Sequence, residues 1–208
     1  MGEMLKFPGE ATRLGYRRVR KACRQVDDPN QLDLFLPSLS PITEFAPTLS
    51  TFEQALVRDE QGDSRAAELY MKAIEKRECV ADAYCNLGIL ESKSGNVAKA
   101  FDHFTCCLKY DPRHLEAHYN LANLYFELND FRLAQLHYEM AAEVEPTFAN
   151  AFFNLGLVQS INQELGPAIA TLTRYQELAS PEDARNADEL LQNLRRAMAG
   201  KADSRGQG

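Results

Sequence analysis

Three amides recur at a fixed interval in this 208-residue chain. Asn86, Asn120 and Asn154 stand 34 residues apart. An amide side chain carries a donor and an acceptor, so one residue can pair with both the N–H and the C=O of a peptide backbone. A ladder of such amides holds an extended chain with little regard to its sequence; the alternative is that each one bonds locally. Other chemistry-bearing residues are scattered. His103, His114, His118 and His137 form no metal spacing such as His-Glu-x-x-His. The cysteines Cys23, Cys79, Cys85, Cys106 and Cys107 contain no Cys-x-x-Cys pair, and Cys107 reads as a packed thiol. No Gly-rich phosphate loop and no nucleophile elbow occurs. We therefore expect no catalytic residue, no metal, no cofactor and no enzyme activity.

The elements that carry the amides repeat with them. Ala81–Gly88, Glu116–Ala122 and Asn150–Gly156 open three units in register. In the first, Tyr84, Leu87, Gly88 and Leu90 share one face of a predicted helix. Ser94-Gly95-Asn96 makes a turn, and Ala100, Phe104, Cys107 and Leu108 share the face of a second helix. Gly88, Ala122 and Gly156 recur at one position, and Ala100, Ala134 and Ala168 at another. A small residue there lets two helices approach closely. Phe104, Tyr138 and Leu172 fill the space beside them. Pro112 and Pro146 stop the second helices, because proline cannot continue a helix. A fixed period of this size is the mark of a stacked repeat.

This pattern resembles the tetratricopeptide repeat family: an Asn-Leu-Gly or Asn-Leu-Ala run, a mid-repeat Ala, an aromatic residue four later and a terminal Pro. Units 81–114 and 115–148 match closely. Unit 149–182 shifts its proline to Pro181, and unit 51–80 is degenerate, with a turn at Gly62-Asp63 one residue short. The predicted fold is all-α, a solenoid of antiparallel helix pairs. Residues 183–199 form a capping helix with Leu190, Leu191, Leu194 and Met198 on its apolar stripe, and 200–208 are expected to be a disordered tail.

The resemblance implies that the first helices line an inner groove. It places Asn86, Asn120 and Asn154 on that surface, with Tyr119 and Phe153 before them, Asn123 and Phe126 beyond, and Asp82 and Glu116 at the edge. Such a surface suits an extended peptide with apolar anchors and some positive charge. The family's co-chaperone members clamp a terminal carboxylate with Lys, Arg and Asn. Here those places hold Cys85, Ile89, Glu116 and Asn120, so a heat-shock-chaperone tail is not the expected ligand. The expected function is a protein–protein adaptor.

Charge divides the chain. The formal net charge is −7, yet residues 1–27 hold seven Lys/Arg against three Asp/Glu, leaving the rest acidic. An acidic array is not expected to coat nucleic acid, beyond a weak contact through the basic arm. That arm reads either as a solvated tail or as a helix that forms on an acidic partner. Residues 28–50 are Pro-rich and read as a flexible linker. Within it, Gln31, Leu32, Asp33, Leu34 and Phe35 resemble the pentapeptide by which bacterial repair proteins dock on the sliding clamp, which makes a clamp-tethered factor the alternative function. Folding of Leu32–Leu36 back onto the first repeat is the structural alternative. With no secretory leader and no apolar run of membrane-spanning length, the expected location is cytoplasmic, with no membrane partner.

Overall fold

The computed structural model describes residues 15–19 and 49–205. Among them are nine helices: α1 (Thr51–Glu60), α2 (Ala66–Glu75), α3 (Val80–Lys93), α4 (Val97–Tyr110), α5 (Leu115–Glu127), α6 (Phe131–Val144), α7 (Ala149–Ile161), α8 (Leu165–Leu178) and α9 (Pro181–Arg205). They pair as α1/α2, α3/α4, α5/α6 and α7/α8, and α9 closes on α8. The chain is an all-α repeat solenoid.

Local chemistry sets the boundaries. Ser50 and Glu53 form a reciprocal capping box, with Ser50 Oγ accepting from Glu53 N at 3.2 Å and Glu53 Oε2 accepting from Ser50 N at 2.7 Å. Asp130 Oδ1 caps α6 through Leu133 N at 3.2 Å. One residue between the helices of each pair is left-handed: Gly62, Gly95, Asn129 and Gln163, with φ of +71°, +78°, +61° and +63°. Glycine enters that region without a Cβ clash, and Asn tolerates it.

No pair buries its apolar face alone. Each of the four apolar clusters draws side chains from three successive helices, such as Cys85 and Ile89 of α3, Phe104 and Cys107 of α4, and Leu121 and Leu124 of α5. The repeated small residues sit at the close approaches. A Cβ at Gly88 would lie 2.7 Å from the Phe104 ring, and one at Gly156 would lie 2.6 Å from Leu172 Cγ. Ala100, Ala134 and Ala168 are fully buried.

The degenerate first unit folds as a helix pair like the others, with Phe52 against Tyr70 at 5.7 Å between ring centroids. One boundary changes. The closing helix begins at Pro181, where a missing N–H is tolerated at the first helical position, and it runs to Arg205 rather than ending in a disordered tail at 200. Lys201, Ala202 and Arg205 are good helix formers, and no proline interrupts them.

Candidate functional site

Helix α3 carries Asn86 and α5 carries Asn120, both fully buried. What buries them is the chain's own segment Gly15–Val19, which lies across α1, α3 and α5. Val19 N donates to Asn86 Oδ1 at 3.1 Å, and Asn86 Nδ2 donates to Val19 O at 3.2 Å. Arg17 N donates to Asn120 Oδ1 at 2.8 Å, and Asn120 Nδ2 returns to Arg17 O at 2.9 Å. Asn123 Nδ2 reaches Gly15 O at 3.4 Å. Residues 15, 17 and 19 thus turn their backbones to the amides, as alternate residues of an extended chain do. The segment runs antiparallel to the array and advances two residues per repeat.

Its side chains are held as closely. Arg18 Nη2 lies 2.7 Å from Asp59 Oδ1 of α1, and Nη1 donates to Asp59 O at 3.3 Å. Asp59 is 3% exposed, and its Oδ2 accepts from Tyr70 OH at 3.2 Å. Tyr70 OH in turn accepts from Asn86 Nδ2 at 3.2 Å, so the carboxylate pocket and the first rung share one network. Burial pushes the Asp59 carboxyl up from its ordinary value, and Arg18 and Tyr70 pull it back only in part. Arg17 Nε pairs with Glu116 Oε1 at 3.2 Å, and its guanidinium lies 4.2 Å from the Phe148 ring centroid. Tyr16 OH meets Glu127 Oε2 at 3.2 Å and accepts from Ser92 Oγ. Ser92 and Asp59 are equivalent, each three residues before its left-handed turn residue, so the side chains keep the same two-residue register. Val19 packs among Cys85, Ile89 and Phe104.

Other residues assigned to the groove lie elsewhere. Asn154 turns its donors inward: its Nδ2 donates to Tyr119 OH at 3.2 Å, Tyr138 OH at 3.3 Å and Asn123 Oδ1 at 3.5 Å. The two phenols capture this amide, whereas Asn120 has Cys85 and Phe104 at the equivalent places. Tyr119 and Phe153 are core residues, 1% exposed, Phe153 packing on Tyr175 at 5.0 Å. Phe126 is half-buried against Phe131 at 5.4 Å. Asp82 turns to His114 Nε2 at 3.0 Å instead of the groove margin. Gln31, Leu32, Asp33, Leu34 and Phe35 lie outside the described residues.

The fold also gathers a cluster that spacing did not reveal. Cys85, Cys107 and His114 are buried, with donor atoms within 4.8 Å of one another. Such a trio has the composition of a soft-metal site. Both imidazole nitrogens, however, are committed: Nδ1 accepts from Ala117 N at 3.1 Å, capping α5, and Nε2 pairs with Asp82. The hydrogen bond from Cys85, and then His114, lower the Cys107 thiol, while burial raises that of Cys85. A hydrogen-bonded thiol pair beside a capping imidazole accounts for this geometry.

The comparisons agree with the architecture. Two tetratricopeptide repeat models match residues 81–114 and 115–148. Hsp70-Hsp90 organizing proteins 3 and 2 of Arabidopsis thaliana are each 26% identical, over 163 and 166 residues, covering 74% of this chain. The chain spans 28% of the length of these curated relatives. The first tetratricopeptide domain of Spaghetti (RPAP3), solved with the HSP90 peptide SRMEEVD, has a TM-score of 0.52 at 24% identity, covering 57% of this chain and 93% of its own. MamA has a TM-score of 0.55 at 17% identity, covering 75% of this chain and 99% of its own.

Proposed function

The chain is a tetratricopeptide repeat protein, and we propose that its array is a non-enzymatic adaptor that grips an extended partner peptide by the backbone across α1, α3 and α5. The observation that carries this reading is the two-way pairing of Asn86 and Asn120 with the backbones of Val19 and Arg17. Four such bonds hold a peptide without asking for its sequence, and the flanking side chains supply the selection. The organizing-protein relatives and the HSP90 peptide seated in the Spaghetti domain support a scaffold that holds peptides. Their ligand chemistry does not transfer. SRMEEVD is acidic at its end, whereas Asp59, Glu116 and Glu127 make this groove an acidic one that suits cationic segments.

The test uses peptides selected from a display library on the full chain carrying Arg17→Glu, which sets a carboxylate against Glu116 and loosens the resident segment, so that the amides act on the added peptide. Each amide lost removes two bonds, each worth roughly 0.5–1.5 kcal/mol net, so Asn86→Ala with Asn120→Ala removes about 2–6 kcal/mol and weakens a selected peptide by at least about thirty-fold. Asn154→Ala leaves that affinity unchanged and lowers the unfolding midpoint, since it strips a partner from buried Tyr119 and Tyr138. Equal affinity with and without the two amides, both measured on the Arg17→Glu background, would overturn the groove reading.

A further inference from the structure

The occupant of the groove belongs to the same chain, and it is seated by more than its backbone. Asp59 is a nearly buried carboxylate whose partners among the described residues are Tyr70 OH and the Arg18 guanidinium. A buried carboxylate left without its cation is strongly unfavourable. The pocket is therefore set for an arginine, whose planar fork can meet the carboxylate and the Asp59 carbonyl together, as a lysine cannot. One residue earlier, Glu116 and the Phe148 ring bracket a second guanidinium from its edge and its face. Earlier still, Ser92 and Glu127 take a phenol hydroxyl. After the arginines, Cys85, Ile89 and Phe104 receive an aliphatic side chain. Successive sites thus specify aromatic, arginine, arginine, aliphatic.

The resident fit is incomplete. Arg18 Nε is buried with no hydrogen-bond partner. A segment whose own arginine found that missing partner would be held better than the resident one. The groove is therefore occupied and still open to competition.

We propose that Gly15–Val19 is a built-in competitor for the groove, and that the partner to which it yields presents an extended aromatic-Arg-Arg-aliphatic segment whose second arginine replaces Arg18 on Asp59. This rests on the groove being the peptide site. The segment is joined to α1 through residues 20–48, and an intrachain ligand is presented at up to about millimolar effective concentration. A free peptide of the same sequence and micromolar intrinsic affinity is then weakened by up to about a thousand-fold in apparent affinity. A partner overcomes that by satisfying the unmet group, by avidity through a second contact, or by abundance.

The test is fluorescence anisotropy of a labelled synthetic peptide with the sequence of residues 13–21, titrated with the full chain. Native protein binds it weakly. Arg17→Ala with Arg18→Ala in the protein opens the groove, and the peptide binds at least about 30-fold tighter. That double variant strips the cation from Asp59 and can lose its fold, so Arg17→Glu serves as the second variant. It repels Glu116 at the margin, leaves the Arg18–Asp59 pair in place, and also tightens peptide binding. In the opened protein, a peptide with Gln at the Arg18 position binds at least tenfold more weakly, and Asp59→Asn removes that difference. Equal binding by native and opened proteins overturns the competitor and leaves the groove reading standing. Binding by neither overturns both. Mass photometry showing a native dimer that Arg17→Glu dissolves overturns the intrachain arrangement, because the segment then seats in a second copy. Equal affinity for the Arg and Gln peptides overturns the Asp59 selection.

Discussion

His118 and His137 illustrate how one proton location governs a contact. Their Nδ1 atoms are 3.0 Å apart, and His118 Nε2 lies 3.0 Å from Pro112 O. A carbonyl only accepts, so His118 carries its proton on Nε2 and its Nδ1 accepts from His137 Nδ1–H. Protonating His118 sets N–H against N–H, whereas a proton added to His137 goes to its Nε2, where burial opposes the charge. Burial, and then the charge of His118, hold His137 down at about 4, and burial lowers His118 as well. Both folded values lie below the unfolded one, about 6.5, so the unfolded chain takes up protons first. Stability from this pair is full above about pH 6.5 and is lost as pH falls toward 4, on the order of 2–3 kcal/mol for His137. Chemical denaturation between pH 7.5 and 5 should reveal the loss, and His137→Gln should flatten it. Asn154 teaches a related lesson: an amide at the ladder position becomes structural when two buried phenols, Tyr119 and Tyr138, claim it.

Between helices, the repeated small positions are constraints of space, not of propensity. Ala is a better helix former than Gly by about 1 kcal/mol, so propensity alone favours Gly→Ala at any helical site. At Gly166 of α8 a Cβ would meet nothing within 4 Å, and Gly166→Ala should raise the unfolding free energy in urea by up to about 1 kcal/mol. At Gly88 the new Cβ would lie 2.7 Å from the fully buried Phe104 ring. The overpacking there costs roughly 1–3 kcal/mol and outweighs the gain. Opposite signs for the two substitutions are the expected result; a stabilised Gly88→Ala would mean that α3 and α4 are not held at this distance by packing.

Across the whole molecule, each apolar cluster is completed by the next unit, and the last is completed by α9. Ala187, Leu190, Leu191 and Leu194 cover Phe153, Leu157 and Tyr175. Deleting residues 181–208 uncovers that cluster and removes up to about 10 kcal/mol of apolar burial, an upper bound because the unfolded chain is itself partly collapsed. The truncated chain should melt earlier, and light scattering should show association through the bared α7/α8 surface. An unchanged melting temperature would mean that α8 closes the array without a cap.

What the sequence determined by itself was the array. Helices, turns and close approaches rest on contacts three, four and 34 residues apart, and those leave a period that can be read directly: Gly88, Ala122 and Gly156, or Asn86, Asn120 and Asn154. The recurring amides were legible for the same reason, and so were the acidic residues beside them. The groove's occupancy was not. Arg17 meets Asn120 across 103 residues, Val19 meets Asn86 across 67, and Arg18 meets Asp59 across 41. No local rule links such pairs, and nothing in the sequence around Asp59 marks it as the seat of an arginine. Tyr119 and Phe153 sat at groove register yet turned into the core, because a first helix is packed on more than one side by its neighbours. Periodicity tells that a face exists; only the assembled structure decides which surface covers it.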